Sequence, residues 1–215
     1  LIEYLPTTKH ALALHTTTPE LGLAISNFAD DNRSQVWNLG RDLSSHIHQH
    51  LIDFMKSQTW ADLAFIAVAR GPGGFTGTRI GVVTARTLGQ QLKVPVFTVS
   101  TLAAVAWSEY ELGDGEQAVA VEMPAQRGQV FGAVYQPAID SFGIRALLPD
   151  TVFTSEQWQE TLGDWPTDYQ LITAKLGLAA TVTSILALAY FDWQQGQRPV
   201  WSEALPYYGQ HPVDL

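Results

Sequence analysis

Cysteine is absent from this chain, which excludes disulfides, thiolate nucleophiles and cysteine-held zinc. Charge is sparse as well. Only 15% of the 215 residues are Asp, Glu, Lys or Arg, a low share for a surface bathed on all sides by water, and one that leaves room for an interface. Basic residues are the scarcer sign, 12 against 21 acidic, for a net charge of −9. A chain so charged is poorly suited to wrap a polyanion alone, so any RNA it serves needs a partner to supply the basic surface. Long apolar runs are missing too. The most apolar stretch, residues 177–191, is shorter than the roughly 20 residues a membrane span needs and carries Thr and Ser, so it reads as a buried helix. Residues 1–9 show no basic-then-apolar order, and no secretory signal is expected from them.

What is present is a core. Hydrophobic residues make up 46% of the chain, enough for one domain or two half-size lobes. Residues 10–16, 21–28 and 35–39 read as strands joined by short turns, a three-stranded antiparallel meander. Residues 43–58 switch to helical spacing, with Ile47, Leu51, Phe54 and Met55 on one face. A strand is expected at 63–69, a helix at 76–92, a strand at 95–99 and a helix at 100–109. The best boundary is Gly113-Asp114-Gly115, which divides a first α/β lobe, residues 1–112, from a second, 113–215. In the second, strands are expected at 118–123 and 129–135, as if the hairpin unit were repeating. Loop and turn material should follow to Thr154, then a short helix at 155–162, a strand at 169–173 and a long helix at 174–190. The order gives two α/β lobes, each a mixed sheet covered by helices.

The most informative segment is Arg70-Gly71-Pro72-Gly73-Gly74-Phe75-Thr76-Gly77-Thr78-Arg79-Ile80-Gly81. It is a glycine turn between a strand and a helix, with backbone amides bunched at the helix entrance. Such a turn holds a phosphate or serves as a tight architectural corner. No Gly-Lys-Ser/Thr follows the glycines, so it is not a P-loop, and Pro72 spoils a dinucleotide fingerprint. Thr16, Thr17, Gly71, Gly73 and Gly74 are the candidate contacts for a phosphate or nucleotide. The plainer reading of both threonines is turn and cap chemistry. Gly77, Gly81, Ala85 and Gly89 recur every four residues along the following helix. Interior glycine costs about 1 kcal/mol against alanine, so something packs closely there, either the chain's own sheet or another subunit. Arg79 and Arg86 lie seven residues apart on one side of this helix. His46 and His50 have the i,i+4 spacing of helical metal ligands, with His48 between them, but no third ligand or HExxH glutamate is evident. Ser26, Ser44 and Ser100 have no His and Asp companions in a recognisable elbow, so no catalytic residue is assigned.

Residues 71–81 resemble the GPGSFTGxRIG signature of the TsaB (YeaZ) family, with Gly74 in place of the usual Ser. Other pieces fall in the same order: Ala11 to Thr18 for the first strand and its turn, Ser45-His46 and Leu51 for the first helix, PVFTVSTL at 95–102, a weakened charged motif at 125–135, and Pro206-x-Tyr208 near the end. The similarity is strong over residues 11–135. It implies the two-lobed actin-like ATPase (ASKHA), ribonuclease H-like fold. It implies a cytoplasmic, non-catalytic partner of the TsaD enzyme, which makes threonylcarbamoyladenosine on tRNA. TsaE, an ATPase, joins the larger assembly, and tRNA is met only through the complex. The chain then needs no cofactor of its own beyond weak ATP or ADP binding, and the metal belongs to the partner. His15 stands where phosphotransferases of this fold keep a metal-organising Asp. A neutral imidazole suits Mg²⁺ poorly. The family places partner contacts on the first helix. The expected interface therefore comprises His46, Ile47, His50, Leu51, Phe75, Thr76, Gly77, Arg79, Ile80, Gly81 and Ala85, and in the free chain the same surface can form a homodimer. The alternatives are an ATP-dependent phosphotransferase or glycoprotease-like metallopeptidase of the same fold, and a homodimeric interaction module with no tRNA role.

Overall fold

A computed structural model describes residues 2–112, 117–138, 143–175 and 177–209. The boundary expected at Gly113-Asp114-Gly115 lies outside the described residues. Two mixed sheets carry the architecture. The first has five strands: β1 (His10–His15), β2 (Glu20–Ser26), β3 (Asn32–Asn38), β4 (Leu63–Ala69) and β5 (Val96–Val99). Their order is β3-β2-β1-β4-β5. β1 pairs antiparallel with β2 and parallel with β4. All six residues of β1 are buried, as a central strand covered on both faces requires. β3 is the polar edge. The second sheet runs β8-β7-β6-β9, from β6 (Ala118–Pro124), β7 (Gln129–Pro137), β8 (Ile144–Thr154) and β9 (Tyr169–Thr173). β6 and β7 are antiparallel, and β6 and β9 are parallel. Each half therefore repeats one plan: a three-stranded meander, a helix, then a strand parallel to the first.

Five α-helices cover the sheets: α1 (Leu43–Phe54), α2 (Phe75–Leu92), α3 (Thr101–Leu112), α4 (Ser155–Gly163) and α5 (Val182–Gln194). The first lies on one face of the first sheet through Leu43, Ile47, Leu51 and Phe54, and the second joins it there through Val82 and Ala85. On α4, the Thr154 side chain accepts from Gln157 N while Gln157 Oε1 accepts from Thr154 N, a reciprocal N-terminal cap. The remaining pair crosses between the halves. α3 follows the first sheet in sequence yet packs on β6, β7 and β8, whereas α5 comes from the second half and packs on β1, β2, β4 and β5. The two helices also touch each other. The main apolar core lies between the sheets around them, from Ala11, Ala13 and Phe65 on one side to Val119, Val121 and Ala133 on the other. The two halves of the chain thus each own a sheet and exchange a helix.

Two expectations for the second half need correction. Residues 144–154 are an eleven-residue strand, not loop and turn. Arg145, Pro149 and Asp150 hide its alternation, and β8 tolerates them because it is an edge strand with irregular pairing. Its register with β7 shifts between Gly132 and Val134 and again between Val134 and Tyr135. Edges and bulges are where a sheet accepts proline. The last long helix begins later than residue 174. Gly177 takes a left-handed φ of 86°, a 3₁₀ turn spans Leu178–Thr181, and only then does α5 begin.

Gly22 marks how tightly the crossing segment docks. A Cβ built there would run into the Ala179 carbonyl oxygen, well inside van der Waals contact. Gly22→Ala should therefore destabilise the isolated chain by about 1–3 kcal/mol, read as a lower urea midpoint in equilibrium unfolding followed by circular dichroism.

Candidate functional site: the glycine turn and the α1–α2 groove

The turn after β1 and the turn after β4 are clasped together by backbone and threonine hydroxyls. Thr16 Oγ1 donates to Gly77 O at 2.8 Å, and Gly74 N donates to Thr17 O at 2.7 Å. Thr101 Oγ1 donates to Thr17 Oγ1 at 3.1 Å. Both threonines are buried. Cβ atoms at Gly73 and Gly77 would collide with the carbonyl oxygens of Thr17 and Thr16, and one at Gly81 with Thr16 Oγ1. Gly71, at a left-handed φ of 101°, faces the Tyr207 carbonyl. Its own oxygen accepts from Thr101 N at 2.9 Å, and Tyr207 N donates to Arg70 O at 2.7 Å. The five residues read as phosphate contacts are thus brought together, but against one another and against the C-terminal segment. Thr16 Oγ1 is engaged as a donor within the chain, while Thr17 Oγ1 accepts from Thr101.

His15 completes the end of β1. Period-two alternation puts it on the face of Ala11 and Ala13, toward the inter-sheet core. It is fully buried, and neither ring nitrogen has a hydrogen-bond partner. Burial without a compensating charge drives its pKa down to about 3. The ring is neutral at any physiological pH.

Clasping fixes which face of α2 looks outward. Gly81, Ala85 and Gly89 are buried. Gly77 and Gly81 abut Thr16, and Gly89 abuts Val96 and Trp201. The small-residue stripe is therefore the inner face of α2, so Gly77, Gly81 and Ala85 do not belong to an outer interface. The close approach that repays their glycines is made to the chain's own β1 turn. The opposite side of α2 forms, with α1, an open groove of about 640 Å³. Its α2 wall is Phe75, Thr76, Arg79, Ile80, Val83, Thr84, Thr87 and Leu88, and its α1 wall is Ser44, Ile47, His48, Leu51 and Ile52, with Trp60 beside them. Ile52 and Val83 are more than half exposed, at 54% and 52%, and Phe75 is 39% exposed. Large apolar side chains facing water in one patch mark an interaction surface.

Six of the expected interface residues line this groove: Ile47, Leu51, Phe75, Thr76, Arg79 and Ile80. His46 and His50 do not. The exposed His46 ring has its Nδ1 3.1 Å from Asp42 O, and the His50 ring packs 4.6 Å from Trp37. Among the described residues no three His, Cys, Asp or Glu side chains converge as metal ligands. Ile52, Val83 and His48 also line the groove and are not among the residues expected at an interface. The available signal was the apolar side chains of Ile52 and Val83 at positions that helical periodicity assigns to solvent. Of the two arginines on α2, Arg79 lines the groove, while Arg86 lies over the Trp201 ring at 6.0 Å.

Two measurements test this geometry. Ala85→Leu overpacks a fully buried position and should lower the stability of the free monomer by about 1–3 kcal/mol. An unchanged melting temperature would return the stripe to the surface. The second concerns pH. A folded pKa below the ordinary value of 6.5 means that His15 opposes folding increasingly as pH falls from there toward about 3. From about pH 7 to about pH 4.5 this one ring should cost about 2–3 kcal/mol. His15→Leu should show a correspondingly shallower acid loss of stability in urea melts at the two pH values.

A family model described as TsaD, tRNA N6-adenosine threonylcarbamoyltransferase, matches residues 41–145. The chain is 37% identical over 101 residues to the tRNA threonylcarbamoyladenosine biosynthesis protein TsaB of Bacillus subtilis (strain 168), covering 47% of this chain and 42% of that protein. It is 34% identical over 113 residues to the protein of the same name from Escherichia coli (strain K12), covering 49% and 47%. The chain thus spans less than half the length of these curated relatives in the matched stretch. In backbone, YeaZ from Pseudomonas aeruginosa superposes with a TM-score of 0.75 at 24% identity, covering 93% of this chain and 99% of that one. Through its first half the chain is thus similar to TsaB proteins above 30% identity, and over nearly its whole length it shares the fold of YeaZ.

Proposed function

We propose that this chain acts in tRNA threonylcarbamoyladenosine biosynthesis as a non-catalytic subunit that docks a TsaD-like enzyme through the α1–α2 groove. The observation that carries the reading is the pairing of an exposed apolar groove on one face with a closed glycine turn beside it. The groove offers Phe75, Ile80, Val83 and Ile52 to an apolar helix face of a partner. The turn offers a phosphate little room, because Gly73 and Gly77 press on the Thr17 and Thr16 carbonyls and Thr16 Oγ1 already donates to Gly77 O. Ordering the partner is a population effect that asks for binding energy, not for reacting groups in this chain. In this reading the partner holds the metal and the threonylcarbamoyl donor and delivers the group to N6 of adenosine 37. A TsaE-like ATPase joins the assembly, tRNA associates only with the complex, and the free chain pairs with itself through the same groove. The net charge of −9 favours that division of labour.

The rival reading, a phosphotransferase or metallopeptidase of the same fold, draws support only from the likeness to a protein described as similar to peptidase YEAZ. It asks for an acidic metal-organising side chain at the end of β1, where a buried neutral imidazole stands.

Val83→Glu and Ile52→Glu test the docking surface. Both positions are exposed, so each change should move the stability of the free chain by no more than about 0.5 kcal/mol. Affinity for a TsaD-like subunit from the same source, measured by calorimetry or co-purification, should fall about tenfold or more. Wild-type affinity in both variants would remove the groove from the interface.

A further inference from the structure

On the opposite side of the first sheet from the groove, a second cavity of about 250 Å³ opens between the two sheets. Its place in the fold is telling. Arg70 directly follows β4 and Ser100 directly follows β5, two parallel strands. The space beyond the carboxyl ends of parallel strands is where open α/β sheets receive small ligands.

Its polar groups are not satisfied by one another. Asp150 is carried inward by the irregular stretch of β8. Its Oδ1 accepts from Tyr135 OH at 2.6 Å and from Ser100 Oγ at 2.9 Å. Its Oδ2 is buried and has no donor. Ser100 Oγ accepts in turn from Leu102 N and Ala103 N at the start of α3, which fixes the carboxylate in place. Arg70 lines the same cavity. Its Nε is buried without an acceptor, and among the described residues its side chain makes no hydrogen bond or ion pair. The guanidinium carbon lies 6.0 Å from the Tyr207 ring, and its charge acts on Asp150 across the cavity, favouring the ionised carboxylate. Asp192 of α5 supplies a second, largely buried carboxylate. A guanidinium whose buried Nε has no acceptor and a buried carboxylate oxygen without a donor, lining one cavity and, among the described residues, not hydrogen-bonded to each other, are costly unless something brings both complements.

We infer that this inter-sheet cavity binds a small zwitterion of the amino-acid type, its carboxylate on Arg70 and its ammonium on Asp150 Oδ2 with Asp192 nearby. Size limits the choice. At about 30 Å³ for each water the cavity holds about eight waters, below the range of pockets for drug-sized molecules. Alanine, serine and threonine are of the right scale. The inference is independent of the docking reading, since the groove lies on the other face of the sheet and shares no lining residue with the cavity.

The test is calorimetric titration of the whole chain with L-alanine, L-serine and L-threonine, beside propionate and ethylamine, each of which carries only one of the two charges. At least one amino acid should bind saturably with a Kd of about a millimolar or tighter, while propionate and ethylamine do not saturate. Arg70→Gln and Asp150→Asn should each weaken that binding about tenfold or more. Ala146→Leu, an exposed change on β8 at the cavity lining, should do the same with the melting temperature unchanged. Failure of all three amino acids to saturate at tens of millimolar, or equal binding of propionate or ethylamine, overturns the assignment. So does wild-type affinity in a folded Arg70→Gln or Ala146→Leu chain. The ligand series on the wild-type chain decides the matter even where a variant does not fold.

Discussion

The organisation of the first lobe depends on one clasp, the turn after β1 pressed into the turn before α2. It can form only because Gly73, Gly77 and Gly81 have no side chain where Thr16 and Thr17 lie. Glycine inside a helix costs about 1 kcal/mol, and a net hydrogen bond restores about the same. The bonds from Thr16 Oγ1 to Gly77 O and from Gly74 N to Thr17 O therefore offset what the glycines cost. The larger consequence is geometric. Once α2 is held this close, Val82 and Ala85 enter the core and Phe75, Ile80 and Val83 are turned outward. A surface for a partner is the necessary reverse of a clasp toward the chain itself.

The end of the first sheet divides chemically along its strands. Beside β1 it is dry and uncharged, because His15 is buried in its neutral form. Beside β4 and β5 it is polar, with Arg70, Ser100 and, from the facing sheet, Asp150 and Tyr135. Burial raises the pKa of Asp150, against the pull of its two hydrogen bonds, and raises that of Tyr135 more strongly. The charged groups at this end of the fold lie beside β4 and β5, in a cavity between the sheets.

Much of this was legible in the sequence, and the failures have physical causes. β1 to β5 and α1 to α3 announce themselves through alternation, helical spacing and a glycine turn at a strand-to-helix corner. β8 does not, because a bulged edge strand may keep Pro149 and Asp150 where regular alternation would forbid them. The small-residue stripe was read correctly as a close approach and assigned to the wrong neighbour. Period-four spacing says that something lies near Gly77 and Gly81, and nothing in a linear sequence says that it is Thr16, sixty residues away. His46 and His50 show the same limit from the other direction: helical spacing placed them on a common face, and tertiary packing gave one to solvent and the other to Trp37. Asp150 escaped notice for the same reason as β8. Its role comes from a register shift that only pairing reveals.

The C-terminal segment ties these parts together. Tyr207 N donates to Arg70 O, and Tyr207 OH donates to Asp150 O at 2.8 Å. One residue thus bridges the end of β4 in the first sheet and β8 in the second. The next residue, Tyr208, stacks on Phe75 at 4.5 Å, at the mouth of the α1–α2 groove. Exchange of α3 and α5 already holds the sheets together through apolar packing, which is indifferent to small shifts in angle. The tyrosine bridge is directional. It sets where Arg70 and Asp150 stand relative to each other across the cavity, because both of its hydrogen bonds end on the backbone of those two residues. Two adjacent tyrosines thus touch both faces of the first sheet, Tyr207 at the cavity residues Arg70 and Asp150 and Tyr208 at Phe75 of the groove.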